Sequence, residues 1–185
     1  MARGEGDSAV SLAFLVLALL AGHTMAAMAT LVLPAIAPAV ARDYGFDPSL
    51  IGYQISLVSL GMVVSLTLLG NTSRRLGACR TNQIGHGLVG AGMLLMLLPW
   101  APFLIFGSLV AGVGYGALTP SASYLLVRFT PAPRRNFVFS LHQVGIPLGG
   151  ILAALLAPAL TVLAGWRWAV ALSAALIFVV IVLMQ

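Results

Sequence analysis

Six apolar stretches separated by breaks of a few residues constrain this chain more than anything else in it. They run over residues 10–40, 50–70, 81–98, 102–127, 136–164 and 168–184. Within hydrocarbon every backbone N–H and C=O must be satisfied without water, and a helix does so inside a single segment. About 20 residues are enough to cross a bilayer core. The stretches therefore predict six transmembrane helices, with residues 1–9 as a polar N-terminal tail. The expected fold class is an all-α integral membrane protein, a bundle of six helices with no room for a soluble domain in 185 residues.

Composition points the same way. Charged residues make up 7% of the chain, against roughly 25% in soluble domains. The net charge of +5 comes from arginines placed in the breaks, so it reads as a topology signal, and no nucleic-acid partner is expected. Cys79 is the single cysteine, which excludes an intrachain disulfide and a paired-cysteine metal site. There is no His-Glu-x-x-His pair, Gly-x-Ser-x-Gly elbow or phosphate loop, so neither an enzyme nor a cofactor is expected. The first stretch is too long for an ordinary signal peptide, cleavage near Ala26–Ala29 being the lesser alternative. Arginine without lysine, with abundant alanine and glycine, is the composition of a GC-rich bacterial genome.

Positive residues near span ends are retained in the cytoplasm. With the N-terminus inside, Arg3, Arg74, Arg75, Arg80, Arg128, Arg134 and Arg135 fall on the inner side, and only Arg42 and Arg167 outside. The expected location is the inner cell membrane of a bacterium, with both termini cytoplasmic. The chain stops directly after its sixth stretch, at Met184-Gln185, and is expected to be half of something longer.

The loop Gly70-Asn71-Thr72-Ser73-Arg74-Arg75-Leu76-Gly77 resembles the signature loop between the second and third spans of the major facilitator superfamily. Gly112-Val113-Gly114-Tyr115-Gly116, Gly145-Ile146-Pro147-Leu148-Gly149-Gly150 and Gly165-Trp166-Arg167-Trp168 are similar to that family's later landmarks, in the same order. The sequence departs from the pattern at Arg74, where the family loop carries an acidic residue, and at Ser108, where an arginine is usual. The spacing of Pro147 and Gly149 is one residue shorter than in the antiporter motif. The resemblance implies the N-terminal six-helix half of a twelve-helix transporter. It assigns Gly70, Arg74, Arg75 and Gly77 to a conformational loop and places the first and fourth spans against a central cavity.

Small residues let helices approach closely in lipid. Gly112, Gly116, Gly145, Pro147, Gly149 and Gly150 are read as packing positions, as is Gly87 with Ala91. Polar residues within spans are costly and mark the bundle interior or a cavity. At helical spacing Ser108, Gly112, Tyr115, Thr119 and Ser123 share one arc, as do His23, Ala27, Thr30 and Pro34. Tyr115 and Thr119 bind substrate or bond between helices. His23 binds substrate, carries a proton, or packs as a neutral imidazole. In the fifth span Gln143 is favoured over His142 for the cavity, because His142 shares the packing face of Gly145 and Gly149. His86, on a span that the family places at the periphery, is not expected to line it. The candidate substrate-binding set is His23, Thr30, Tyr115, Thr119 and Gln143.

No Asp or Glu lies within any stretch. The expected function is secondary transport of a small solute by alternating access. The partners are the lipid bilayer, the solute, and a second six-helix bundle, either a missing C-terminal half or a second copy. The alternative is a non-transporting scaffold or degenerate remnant.

Overall fold

The computed structural model describes the backbone of residues 2–68 and 75–184, and side chains from Leu12 onward within those segments. Every regular element among them is helical. The first stretch forms α1 (Ala2–Ala35) and α2 (Ala37–Tyr44), parted at Ile36. Pro38 has no N–H for the Pro34 carbonyl, but sits in the first turn of α2, where that donor is not needed. Gly45 closes α2 at φ 73°, a left-handed conformation that glycine adopts without a Cβ penalty. A 3-10 turn, Pro48–Ile51, is capped by Asp47, whose Oδ1 accepts the Ser49 N–H at 2.8 Å, and leads into α3 (Gly52–Leu68).

Gly77 precedes α4 (Ala78–Leu95), and Pro102 opens α5 (Pro102–Phe129). A 3-10 turn at Ala132–Arg134 leads into α6 (Arg135–Gln143) and α7 (Gly145–Ala164). The step between these two at Val144 has a cause in Pro147, which cannot donate to the Gln143 carbonyl four residues earlier. Gly165, at φ 94°, turns the chain into α8 (Trp166–Leu183).

Among the described residues, five segments are long and apolar enough to cross a membrane: Leu12–Ala35, Pro48–Leu68, Pro102–Phe129, Ala132–Ala164 and Trp166–Leu183. The remaining long helix, α4, carries Arg80, Asn82, Gln83 and His86 and packs between α5 and α8.

The packing repeats itself. α5 holds α3 and α4 much as α1 holds α7 and α8, and α4 lies on α8. The first three spans and the last three thus exchange roles, the pattern of an inverted repeat. Glycine makes the seams. A Cβ on Gly149 would sit 2.5 Å from Thr24 O and 2.7 Å from Met28 N, and one on Gly112 would meet the Val58 backbone. Gly116 faces Met62 and Ser65, and Gly145 faces Leu20, His23 and Thr24. A Cβ on Gly150 would make only an ordinary contact with Leu31, Pro147 is exposed, and a Cβ on Gly87 would meet open space, so Gly87 is no seam within this bundle. Leu33, Met93, Leu118 and Ile177 fill the interior, while Leu66, Leu155 and Val182 face outward.

Candidate substrate site

Three of the polar groups within the spans meet where α1, α5 and α6 converge. His23 is 2% exposed, Tyr115 8% and His142 4%. Tyr115 Oη lies 3.3 Å from His23 Nε2, so the phenol donates when that nitrogen is bare. The His23 and His142 rings are 4.7 Å apart, edge to face. His142 Nε2 has no partner among the described residues. Its position follows from the step at Val144: α6 ends on the side that Gly145 and Gly149 press against α1, which brings His142 onto His23.

The other expected residues are distributed around this cluster. Thr30 is buried higher on α1, its hydroxyl donating to Ala27 O at 3.0 Å. Thr119 and Gln143 are exposed. Ser108 is fully buried and donates to Leu104 O. In the loop, Arg75 and Gly77 are exposed, while Gly70 and Arg74 lie outside the described residues. His86 is buried, its Nδ1 2.9 Å from Asn82 O, and next to it Asn82 Nδ2 donates to Ser121 Oγ at 3.0 Å, joining α4 to α5.

One group that the sequence reading passed over belongs here. Gln54, on α3, is 5% exposed, and its Nε2 donates to Thr30 O at 3.5 Å. It borders a cleft of about 610 Å³ between α1, α3 and α5. Pro102, Leu104, Ile105 and Ser108 form the α5 wall of the cleft, and helical spacing puts Ile105 and Ser108 on the arc that continues to Tyr115 and Thr119. Along that arc Tyr115 lies seven residues beyond Ser108, about 10 Å along the axis, so the buried histidine cluster sits two turns from the cleft. Its walls are apolar, with Leu33, Phe46, Leu57 and Leu60 prominent.

At the end of the bundle away from the Gly77 loop, Asp43 joins Arg167 at 2.8 Å and accepts the Trp166 Nε1–H at 3.1 Å. Asp47, exposed nearby, has its carboxyl held below the usual carboxylate range, first by the Ser49 side chain and then by the Ser49 backbone N–H.

The profile of the Major Facilitator Superfamily matches residues 12–185, and the chain belongs to that family of membrane transporters. The 4-hydroxybenzoate transporter PcaK of Acinetobacter baylyi is 29% identical over 143 residues, 71% of this chain and 31% of that protein. The benzoate transport protein of the same organism is 27% identical over 137 residues, 70% of this chain and 29% of that protein. Among solved structures, the proton:xylose symporter XylE bound to 6-bromo-6-deoxy-D-glucose superposes with a TM-score of 0.81 at 16% identity, over 96% of this chain and 45% of that one. The chain thus spans less than half of each of these proteins. The six-helix bundle is half of a major facilitator fold, and the family is one of transporters, not enzymes.

Proposed function

We propose that this chain forms the N-terminal bundle of a secondary transporter for a small organic anion, aromatic carboxylates being the solute class, which it moves by alternating access against a second six-helix bundle. The observation that carries this reading is the buried His23–Tyr115–His142 cluster, about two helical turns along α5 from an open apolar cleft, in spans free of Asp and Glu. An apolar cavity with hydrogen-bond donors and without carboxylates suits an anion attached to a ring. Aromatic-acid transporters among the relatives, the two above included, support the same class. In this reading Tyr115, His23, Thr119 and Gln143 supply the polar contacts, Thr30 supports Gln54, and the loop with Arg74 and Arg75 gates the cytoplasmic side.

The opposing reading, a non-transporting scaffold, draws on Arg74, which stands where the family loop carries an acid. Uptake of radiolabelled 4-hydroxybenzoate separates the two. Cells expressing the coding sequence that carries this chain are expected to take it up saturably, and purified monomers of the 185-residue chain in liposomes are expected to pass none. Absence of uptake of any aromatic acid, with the protein present in the membrane, leaves the scaffold reading standing.

A further inference from the structure

We propose that Gln54 and the apolar cleft beside it bind the hydroxyl-bearing end of an aromatic ring, so that the site selects ring-hydroxylated acids over unsubstituted ones. The inference rests on the aromatic-acid reading above and adds the group that is read.

Its starting point is an unmet acceptor. Donation of Nε2 to Thr30 O orients the Gln54 amide, and Oε1 is then buried without a partner among the described residues. A buried carbonyl oxygen without a donor carries its full desolvation penalty, and a bound group that supplies one relieves it. Leu33, Leu57, Leu60 and Ile105 are apolar, the Ser108 hydroxyl is committed to Leu104 O, and the Tyr53 and Ser56 hydroxyls lie on the exposed part of the α3 wall, so Gln54 Oε1 is the buried polar atom of the cleft that lacks a partner among the described residues. No arginine or lysine lines the cleft. A carboxylate has only acceptor oxygens to present, so it gains nothing against Oε1 and finds no counter-charge here. A phenolic hydroxyl has the required donor, on a ring that matches the apolar walls.

The orientation of the solute follows. Its hydroxyl points to Gln54 and its carboxylate toward Tyr115 and His23, where the phenol is free to donate when His23 carries its proton on Nε2. Thr30, which anchors Gln54, lies seven residues from His23 on α1, about 10 Å along the axis, the scale of one substituted ring. The two relatives bracket the expected choice, since one is named for 4-hydroxybenzoate and the other for benzoate.

Equilibrium binding to the purified 185-residue chain in lipid nanodiscs tests this with 4-hydroxybenzoate, 4-methoxybenzoate and benzoate. Methoxy keeps the oxygen and removes the donor. The wild type is expected to bind 4-hydroxybenzoate roughly tenfold tighter than the other two, the factor for one hydrogen bond to a buried group. Gln54→Leu is expected to bring the three affinities to within about twofold of one another, erasing that preference. Gln54→Met, of similar volume, repeats the measurement, with thermal unfolding checking that both variants fold. A preference that survives both substitutions overturns the assignment, as does equal wild-type binding of all three acids, the result expected if the cleft holds only a lipid acyl chain. A second pair, p-cresol and toluene, separates the two layers. A Gln54-dependent preference for p-cresol with no carboxylate bound keeps the hydroxyl site and removes the aromatic-acid reading.

Discussion

Arg167 Nη1 sits 2.8 Å from Asp43 Oδ2, and the guanidinium also lies over the Trp166 ring, 4.6 Å from its centroid. The ion pair ties the chain after α1 to the start of α8, yet its two side chains are 43% and 40% exposed. Trp166 is only 6% exposed and belongs to the core. The weight of this corner is therefore in the indole. We predict that Asp43→Ala, which removes both the ion pair and the acceptor of the Trp166 Nε1–H, lowers the unfolding free energy in detergent by about 1–2 kcal/mol. Trp166→Ala is predicted to lower it by about 3–5 kcal/mol. Equal losses would mean that the ion pair is the true fastening.

The seams give a second prediction. A Cβ on Gly149 meets backbone atoms of α1, whereas Gly87 faces open space. Gly149→Ala should therefore destabilise by about 1–3 kcal/mol through overpacking. Gly87→Ala should be neutral or stabilising by up to about 1 kcal/mol from helix propensity. Detergent thermal melts of the two variants side by side decide it, and a Gly149→Ala variant as stable as wild type would contradict the seam.

Orientation is predicted from the arginines. In a Cys79→Ser background, Ala132→Cys should resist an impermeant thiol reagent added to intact cells and react once the membrane is opened, because Arg128, Arg134 and Arg135 flank it. Prompt labelling from outside would reverse the topology.

For the solute, Tyr115→Phe removes the hydroxyl that meets His23 while keeping the ring. In the transporting protein it should weaken apparent affinity by about 1–2 kcal/mol, as should Thr119→Val. His86→Gln should instead change stability, since that ring is buried against Asn82. Unchanged affinity in the His23, Tyr115 and Thr119 variants alike would reduce the stripe to helix packing.

Asp47 predicts a pH effect of definite sign. Its carboxyl is held below the usual range by Ser49. A depressed folded-state value means that the cap's contribution is present at neutral pH and is lost as pH falls through that value. The protection factor of the Ser49 amide, its exchange rate relative to the intrinsic rate at the same pH, should fall on acidification below the ordinary carboxylate range, and a flat profile of protection would refute the cap.

The all-helical nature of the chain was legible because length and apolarity decide it without any knowledge of neighbours, whereas the third stretch, with Arg80, Asn82, Gln83 and His86, is helical but falls outside the five segments apolar enough to cross a membrane among the described residues. Gly112 and Gly149 were legible for a related reason, since spacing marks a smooth face. What a face touches was not. His142 was read correctly as lying on the Gly145 and Gly149 face, but a single helix gives no hint that α1 presents His23 there. Gln54 was passed over as one amide in an apolar run. Its spacing with Val58, Gly61 and Ser65, all buried on one side of α3, was the available signal. Gly61, Gly92 and Gly107 likewise meet neighbouring backbone without any repeated motif to announce it.

The glycine seams also govern how this bundle can move. Where backbone lies on backbone, as at Gly112 on Val58 and Gly149 on Thr24 and Met28, a sliding helix would have to lift its neighbour before it could advance. Such joints behave as welds. Deformation is left to the interruptions at Ile36 and Val144, and to tilting of the whole six-helix block as a single lever. A solute lodged between Gln54 and Tyr115 would then ride on a stiff body, and its passage would be set by how that body leans.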